Sequence, residues 1–453
     1  MTRLETTLDR LSGLDRLNTA PLAGRMEEVL DTVLDNVRDH AGSASDARRS
    51  PAIGASRATV RHLPRDAALL LDILAELHGG VLTVRLPDGA SLWLGDDQAG
   101  PAVDLHIHDW SVFARVLARG DIGFAEAYLD GQVDSSDLAA LLTRLNANRA
   151  VLEKAVYGHW RGLLAARLRH LFNANTRAGS KRNILAHYDL GNDFYRLWLD
   201  ESMTYSAGLF SGDPVRSLAA AQDAKYRRIL RKLGARPEQI VLEIGCGWGG
   251  FAELAAREAG VRVEGVTLSP AQLAYAQERL ARAGLDERAH LMLRDYRDIR
   301  GQYDHIVSIE MFEAVGERYW PSYFRTVKRA LAPEGRALVQ SIVIRDDLFA
   351  RYRRGTDFIQ QYVFPGGMLP SPGEFGRRAA RAGLAVTDQF SFGPDYARTL
   401  ALWRERFEAA WPRIAPLGFD ERFRRLWRFY LAYCEAGFAT GSVDVVQFEL
   451  RHG

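Results

Sequence analysis

The sequence predicts an α/β protein: a mostly parallel sheet with helices on both faces, preceded by a smaller α+β unit. Three observations carry that reading. After residue 237, apolar β-rich runs alternate with amphipathic stretches, the pattern of a sheet built from strand–helix repeats. Between about 60 and 150, short helical and hairpin patterns follow one another instead. At 453 residues the chain is also too long for one ordinary core, so two or more domains are expected.

The elements follow in order. Residues 1–59 read as a helical segment, with Leu11, Leu14, Leu17, Val29 and Leu34 at helical spacing, then a flexible linker, HAGSASDARRSPAIGAS. Residues 60–150 form the small unit. ALLLDILAELHGG is a helix stopped by paired glycines, and GVLTVRLPDGASLWLG is a hairpin turning at Pro-Asp-Gly. HDWSVFARVLARG, IGFAEAYLDG and DLAALLTRL read as three short helices. Residues 151–182 are a basic helical connector with Trp160, Leu163, Leu164, Leu168 and Phe172 interleaved. Such a stretch either meets anionic headgroups or packs between domains with a solvated basic side. Residues 183–453 form the larger α/β domain, in which QIVLEIGCG, VRVEGVTL, AHLMLRDY, YDHIVSIE and ALVQSIVI are the strands.

Bulk properties narrow the function. An apolar content of 47% and a charged content of 26% belong to a globular protein, and a net charge of +2 argues against nucleic-acid binding by bulk electrostatics. The two cysteines, Cys246 and Cys434, suggest neither a disulfide framework nor a metal site, which fits a reducing cytoplasm. The N-terminus lacks a signal-peptide core, and no run approaches the ~20 apolar residues that span a bilayer. The expectation is a cytoplasmic protein that can sit on the inner face of a membrane.

Ligands of such sheets bind beyond the carboxyl ends of the strands, and the chemistry-bearing motifs gather there. In VLEIGCGWGG, a buried strand runs into Gly245 and Gly247 at the start of a helix, a turn that lets a ligand approach bare backbone. The next strand ends in Thr267, with Gln272 five residues on, where dinucleotide enzymes carry an acidic residue. DYRD places Asp295 and Tyr296 at the level of an adenine pocket, as amine acceptor and ring neighbour. IVSIEMFEAVG sets Glu313 on an apolar Met-Phe step, where a carboxylate costs desolvation energy unless something compensates it.

AHYDLGNDFYRLWLD, MTYSAGLF, VLEIGCGWGG, GVTLSPAQ, IVSIEMFEAVG, DFIQQYVFPGGMLPS and YLAYCEAGF occur in this order over roughly residues 186–447. Together they resemble the cyclopropane fatty acid synthase family, including the mycolic acid cyclopropane synthases. GDIGFAEAYLDGQVDSSDLAALL resembles the lipid-associated domain of its phospholipid-acting members. The resemblance implies a Rossmann-like, class I S-adenosylmethionine-dependent methyltransferase fold. It also implies addition of one carbon to the cis double bond of unsaturated phospholipid acyl chains at a membrane surface. Cyclopropanation is the first expectation. A methylene- or methyl-branched product, of the tuberculostearic or furan fatty acid type, and a non-catalytic lipid-binding relative are the alternatives. Homodimers are common in such enzymes, and the sequence itself decides nothing on this.

Residue by residue, the resemblance assigns Tyr205 and Ser206 to the methionine part of the cofactor, Gly245 and Gly247 to the loop, and Thr267 and Gln272 to the ribose. Glu313 falls on the active-site glutamate, Ile342 on an active-site backbone position and Tyr430 on the active-site tyrosine. Family members also hold a bicarbonate ion as proton acceptor. Here the pattern departs: Ala207 stands for a cysteine, Gln340 for a histidine, and Ala314 for another histidine. Glutamine can hydrogen-bond an anion but cannot titrate near neutral pH, which puts the bicarbonate site in doubt. DFIQQYVFPGGMLPS is expected to form a lid or tunnel wall for the acyl chain.

Overall fold

The computed structural model describes residues 63–95, 100–156 and 190–453. The helical segment and linker expected over 1–59, and most of the basic connector of 151–182, lie outside the described residues.

The first sheet is small and mixed, in the order β2-β1-β3-β4. β1 (Val81–Arg85) and β2 (Ser91–Gly95) pair antiparallel, and the Gly89 N–H donates to Leu86 O at 2.9 Å across the expected turn. β3 (Val103–Ile107) runs parallel to β1, and the short β4 (Val133–Asp134) pairs antiparallel with β3. Strand alternation sends Leu82, Val84, Leu92, Leu94, Leu105 and Ile107 inward, toward helices Arg65–Ala75, Ser111–Leu129 and Leu138–Ala147. The two short helices expected near residue 120 are present within Ser111–Leu129, meeting at a non-helical Gly120 (φ 59°, ψ −134°). A side chain would strain that backbone, so a glycine is what lets one helix follow directly on the other.

The second sheet has seven strands in the order β10-β11-β9-β8-β5-β6-β7. β5 (Ile240–Ile244), β6 (Arg262–Thr267), β7 (Ala289–Leu293), β8 (Tyr303–Ile309) and β9 (Leu331–Ile344) are parallel to their neighbours in this set. β11 (Val443–His452) inserts antiparallel between β9 and β10 (Leu384–Ser391). The chain leaves β5 for β6 and β7 on one side and returns to β8 on the other. The reversal at β5 opens a crevice above the sheet, where ligands of doubly wound folds sit. This is the Rossmann-like arrangement the sequence predicts.

The two sheets are joined through helix Glu421–Ala439, which packs against Leu138–Ala147 of the first unit. Asn146 Nδ2 donates to Thr440 Oγ1 (2.6 Å) and Ser442 Oγ (2.8 Å), and Arg425 Nη2 donates to Asp134 Oδ1 (2.8 Å) and Val133 O (2.7 Å). Tyr362 adds a hydrogen bond to Glu126. Among the described residues no helix is long and apolar enough to cross a membrane.

Candidate active site

The loop after β5 defines one wall of a cleft. Gly245 (φ 89°) passes so close to Met311 that a Cβ there would lie 2.9 Å from its Cγ. Gly247 (φ 50°) faces open space: among the described residues, nothing lies within 4 Å of where a Cβ would stand. The loop then feeds helix Gly250–Ala259, whose free N–H groups point back toward the cleft end of the sheet. Glu243, at the end of β5, is buried, and burial holds its carboxyl well above the usual range.

Thr267 and Gln272 meet at the end of β6, where the threonine hydroxyl donates to Gln272 Oε1 at 3.0 Å. Both line the cleft with Tyr205, Ser206, Gly245, Gly247 and Tyr296. The Tyr296 hydroxyl is buried and has no hydrogen-bond partner among the described residues. Asp295 behaves differently from expectation. Its two oxygens are engaged by Arg297, at 2.8 Å to Nε and 2.6 Å to Nη2, and it is not among the cleft-lining residues. A short turn that caps itself has drawn the carboxylate into an ion pair, and Arg294 and Tyr296 face the cleft in its place.

Beyond the cleft lies a larger cavity of about 730 Å³. The small unit supplies Leu70, Leu105, Ile107, Val112, Val116 and Phe124 to its wall. The sheet unit supplies Ile342, Tyr430 and most of the segment 357–369, among them Phe364, Pro365, Gly367 and Met368. Tyr205, Glu310 and Ala314 line both spaces and mark where they meet.

Glu313 faces the large cavity at this junction. One oxygen accepts from the Ile342 N–H, while Oε2 has no partner among the described residues. Burial, with the neighbouring Glu310 charge, pushes its carboxyl up to about 8. Tyr430 donates to or accepts from the Tyr205 hydroxyl at 2.7 Å. Burial raises the Tyr430 phenol well above its ordinary value.

Gln340 and Ala207 do not line either space; both serve a residue the sequence reading passed over. The Ala207 N–H (2.9 Å) and Gln340 Nε2 (2.7 Å) donate to Glu310 Oε1, and the Tyr396 hydroxyl donates to Oε2 (2.6 Å). Behind them Lys225 is fully buried, its ammonium on Ser206 Oγ (2.5 Å) and Gln222 Oε1 (2.6 Å). Burial pulls Lys225 down to about 7, against the opposing charges of Glu310, Asp200 and Glu243. The expected Gln340 site for a bound anion is thus occupied by a side-chain carboxylate. Glu310 was visible in IVSIEMFEAVG, three residues ahead of Glu313, but Lys225 looked like any charged residue on helix Leu218–Leu233.

Residues 175–448 match the protein family described as mycolic acid cyclopropane synthetase. Tuberculostearic acid methyltransferase UfaA1 of Mycobacterium tuberculosis is 39% identical over 409 residues, covering 89% of this chain and 93% of the relative. Cyclopropane-fatty-acyl-phospholipid synthase of Escherichia coli is 37% identical over 351 residues, covering 77% and 88%. Among solved structures, the cyclopropane synthase MmaA2 of M. tuberculosis superposes with a TM-score of 0.56 at 32% identity, covering 60% of this chain and 97% of that one. The mycolic acid cyclopropane synthase CmaA1, solved with SAH and CTAB, gives 0.56 at 34% identity over the same shares.

Proposed function

Because the chain belongs to the mycolic acid cyclopropane synthetase family, we propose that it is an S-adenosylmethionine-dependent C-methyltransferase of unsaturated lipids. Its substrate is the cis double bond of an acyl chain carried by a membrane phospholipid. The observation that carries this reading is the meeting of a glycine-loop cleft with a large apolar cavity at Tyr205, Glu310 and Ala314.

The cleft fits a nucleoside-bearing cofactor: Gly247 leaves room at the loop, and the buried Tyr296 hydroxyl awaits a polar partner. Gly245 and Gly247 would hold the nucleoside side, Thr267 and Gln272 the ribose, and Tyr205 and Ser206 the amino-acid part. When bound, S-adenosylmethionine supplies an electrophilic methyl group on a sulfonium. The protein's part is to bring the alkene to that methyl in a dry space, since an alkene is a poor nucleophile. Attack on the methyl leaves positive charge on an acyl carbon. The Tyr430 ring and the Glu313 carboxyl, both at the cavity wall, stabilise that charge without offering a strong nucleophile. The basic stretch 151–182 would rest on anionic headgroups at the inner membrane face.

A ring is the first product we propose. A methylene- or methyl-branched chain is the second, favoured by the 39% identity to a tuberculostearic acid methyltransferase and by Gln340 at the altered anion site. The experiment is mass spectrometry of fatty acids from a strain expressing the protein. A gain of one CH2 on unsaturated chains is expected, and uptake of hydrogen by the product separates an exocyclic alkene from a ring under mild conditions. Unaltered fatty acids, despite soluble protein and ample cofactor, would refute the proposal.

A further inference from the structure

Resting on that reading of the two spaces, we propose that Glu310 is the base that removes the proton from the added carbon, in place of an external anion. Among the described residues, three line both the cleft and the large cavity, and of these Glu310 alone carries a carboxylate. A proton released where the two spaces meet therefore finds this side chain built into the wall.

The surroundings of Glu310 are those of an anion. The Ala207 N–H, Gln340 Nε2 and the Tyr396 hydroxyl all donate to it. Burial raises the Glu310 carboxyl, and the buried Lys225 opposes that rise from behind. Orientation of the Gln340 amide is fixed by a chain of partners. Arg228, which can only donate, bonds Gln447 Oε1; Gln447 Nε2 then donates to Gln340 Oε1 at 2.9 Å. That leaves the Gln340 NH2 to face Glu310. A histidine at 340 would present one ring nitrogen instead of this fixed amide. The Glu310 backbone is held at φ 49°, an unusual conformation for a residue with a side chain, and such strain gathers at functional sites.

Glu313 is the contrasting neighbour. It has one backbone donor, an unpartnered oxygen and a proton held to about pH 8, partly by the charge on Glu310. Two carboxyl groups in environments that separate their protonation divide acid–base roles between them. Burial raises both carboxyls, but at Glu310 the three donors and the Lys225 charge work against it, whereas at Glu313 the neighbouring Glu310 charge adds to it.

The step balances as follows. A C–H bond of the added carbon breaks, and its electron pair closes either the third side of the ring or, after a hydride shift along the chain, an exocyclic double bond. The proton goes to a Glu310 oxygen. A carbocation and a carboxylate become a neutral lipid and a carboxylic acid, and no further reagent is needed.

Turnover of purified full-length protein on unsaturated phospholipid vesicles tests this, in buffer stripped of carbon dioxide and in buffer with added bicarbonate. Wild-type rates within twofold of each other are expected. Glu310→Gln, nearly the same shape, should lose roughly 10²–10⁴-fold in turnover, the contribution of a positioned base. Its affinity for S-adenosylmethionine by calorimetry and its thermal midpoint should stay close to wild type. With trideuteromethyl cofactor, the isotope effect on turnover should rise in Glu310→Asp, where proton removal is slowed; a merely structural role would leave it unchanged. A wild-type rate that collapses without bicarbonate overturns the proposal, whatever the variants do. So does a folded Glu310→Gln protein within tenfold of wild type. Wild-type protein that methylates no unsaturated lipid refutes the enzymatic reading instead.

Discussion

Tyr205 and Tyr430, 225 positions apart in sequence, meet hydroxyl to hydroxyl at 2.7 Å where the cleft opens into the large cavity. The contact ties the segment that lines the cleft to the helix that walls the cavity. Removing the Tyr430 hydroxyl keeps the ring but takes this hydrogen bond away from Tyr205. Tyr430→Phe should lower turnover about tenfold, equivalent to ~1.4 kcal/mol, with cofactor affinity nearly unchanged. Full turnover in the variant would show the hydroxyl pair to be incidental.

Gly247 sits at φ 50° over open cleft, so two penalties fall on Gly247→Val. A β-branched residue is strained by ~1–2 kcal/mol in that backbone region, and its methyl groups enter the space assigned to the nucleoside. Calorimetric titration with S-adenosylmethionine should show no binding. Retained affinity would mean the loop does not contact the cofactor.

Val116 belongs to the small unit yet lines the large cavity. Val116→Trp adds bulk on a wall that the small unit, not the glycine loop, supplies. Turnover on long-chain phospholipid should fall at least tenfold while S-adenosylmethionine binding stays within about twofold, because only the acyl space is reduced. Equal activity on long chains would place the hydrocarbon elsewhere.

Glu313 also predicts a pH dependence of stability. Its folded carboxyl holds a proton up to about 8, against an ordinary value of 4.5. The folded state thus binds a proton that the unfolded chain has released, so stability falls as pH rises between those values. Lys225 has the opposite sign in a higher window: lowered to about 7 from 10.5, it lets stability rise as pH climbs above 7. Between pH 5 and 7, wild type should therefore lose stability relative to Glu313→Gln, by at most ~1.4 kcal/mol per pH unit. Denaturant melts at several pH values measure the difference. A constant gap between the two proteins would mean that Glu313 titrates normally.

Much of the fold was legible because strands buried on both faces read as apolar runs, and Gly245 and Gly247 punctuate the first of them. The positions of Thr267, Gln272, Tyr205 and Tyr430 also followed from motif order. Side-chain partnering was less visible. Nothing in DYRD says that Asp295 will turn to Arg297 two residues on, and nothing in QDAKYRRIL marks Lys225 as the buried charge. Glu310 escaped for a related reason. Its role depends on Tyr396, Gln340 and Ala207, brought together from distant stretches, and on a backbone twist that no spacing rule encodes. The break between two helices at Gly120 was legible, because a glycine inside a helical pattern marks a place where the backbone can leave the helix.

The wall of the large cavity comes from two sheets built by separate lengths of polypeptide, whereas the glycine loop comes from one alone. On the proposed reading, the space that would measure hydrocarbon length and the holder of the reagent are separately mutable. Substitutions within residues 63–95 and 100–152 are then expected to change which chain lengths are accepted while cofactor affinity is kept.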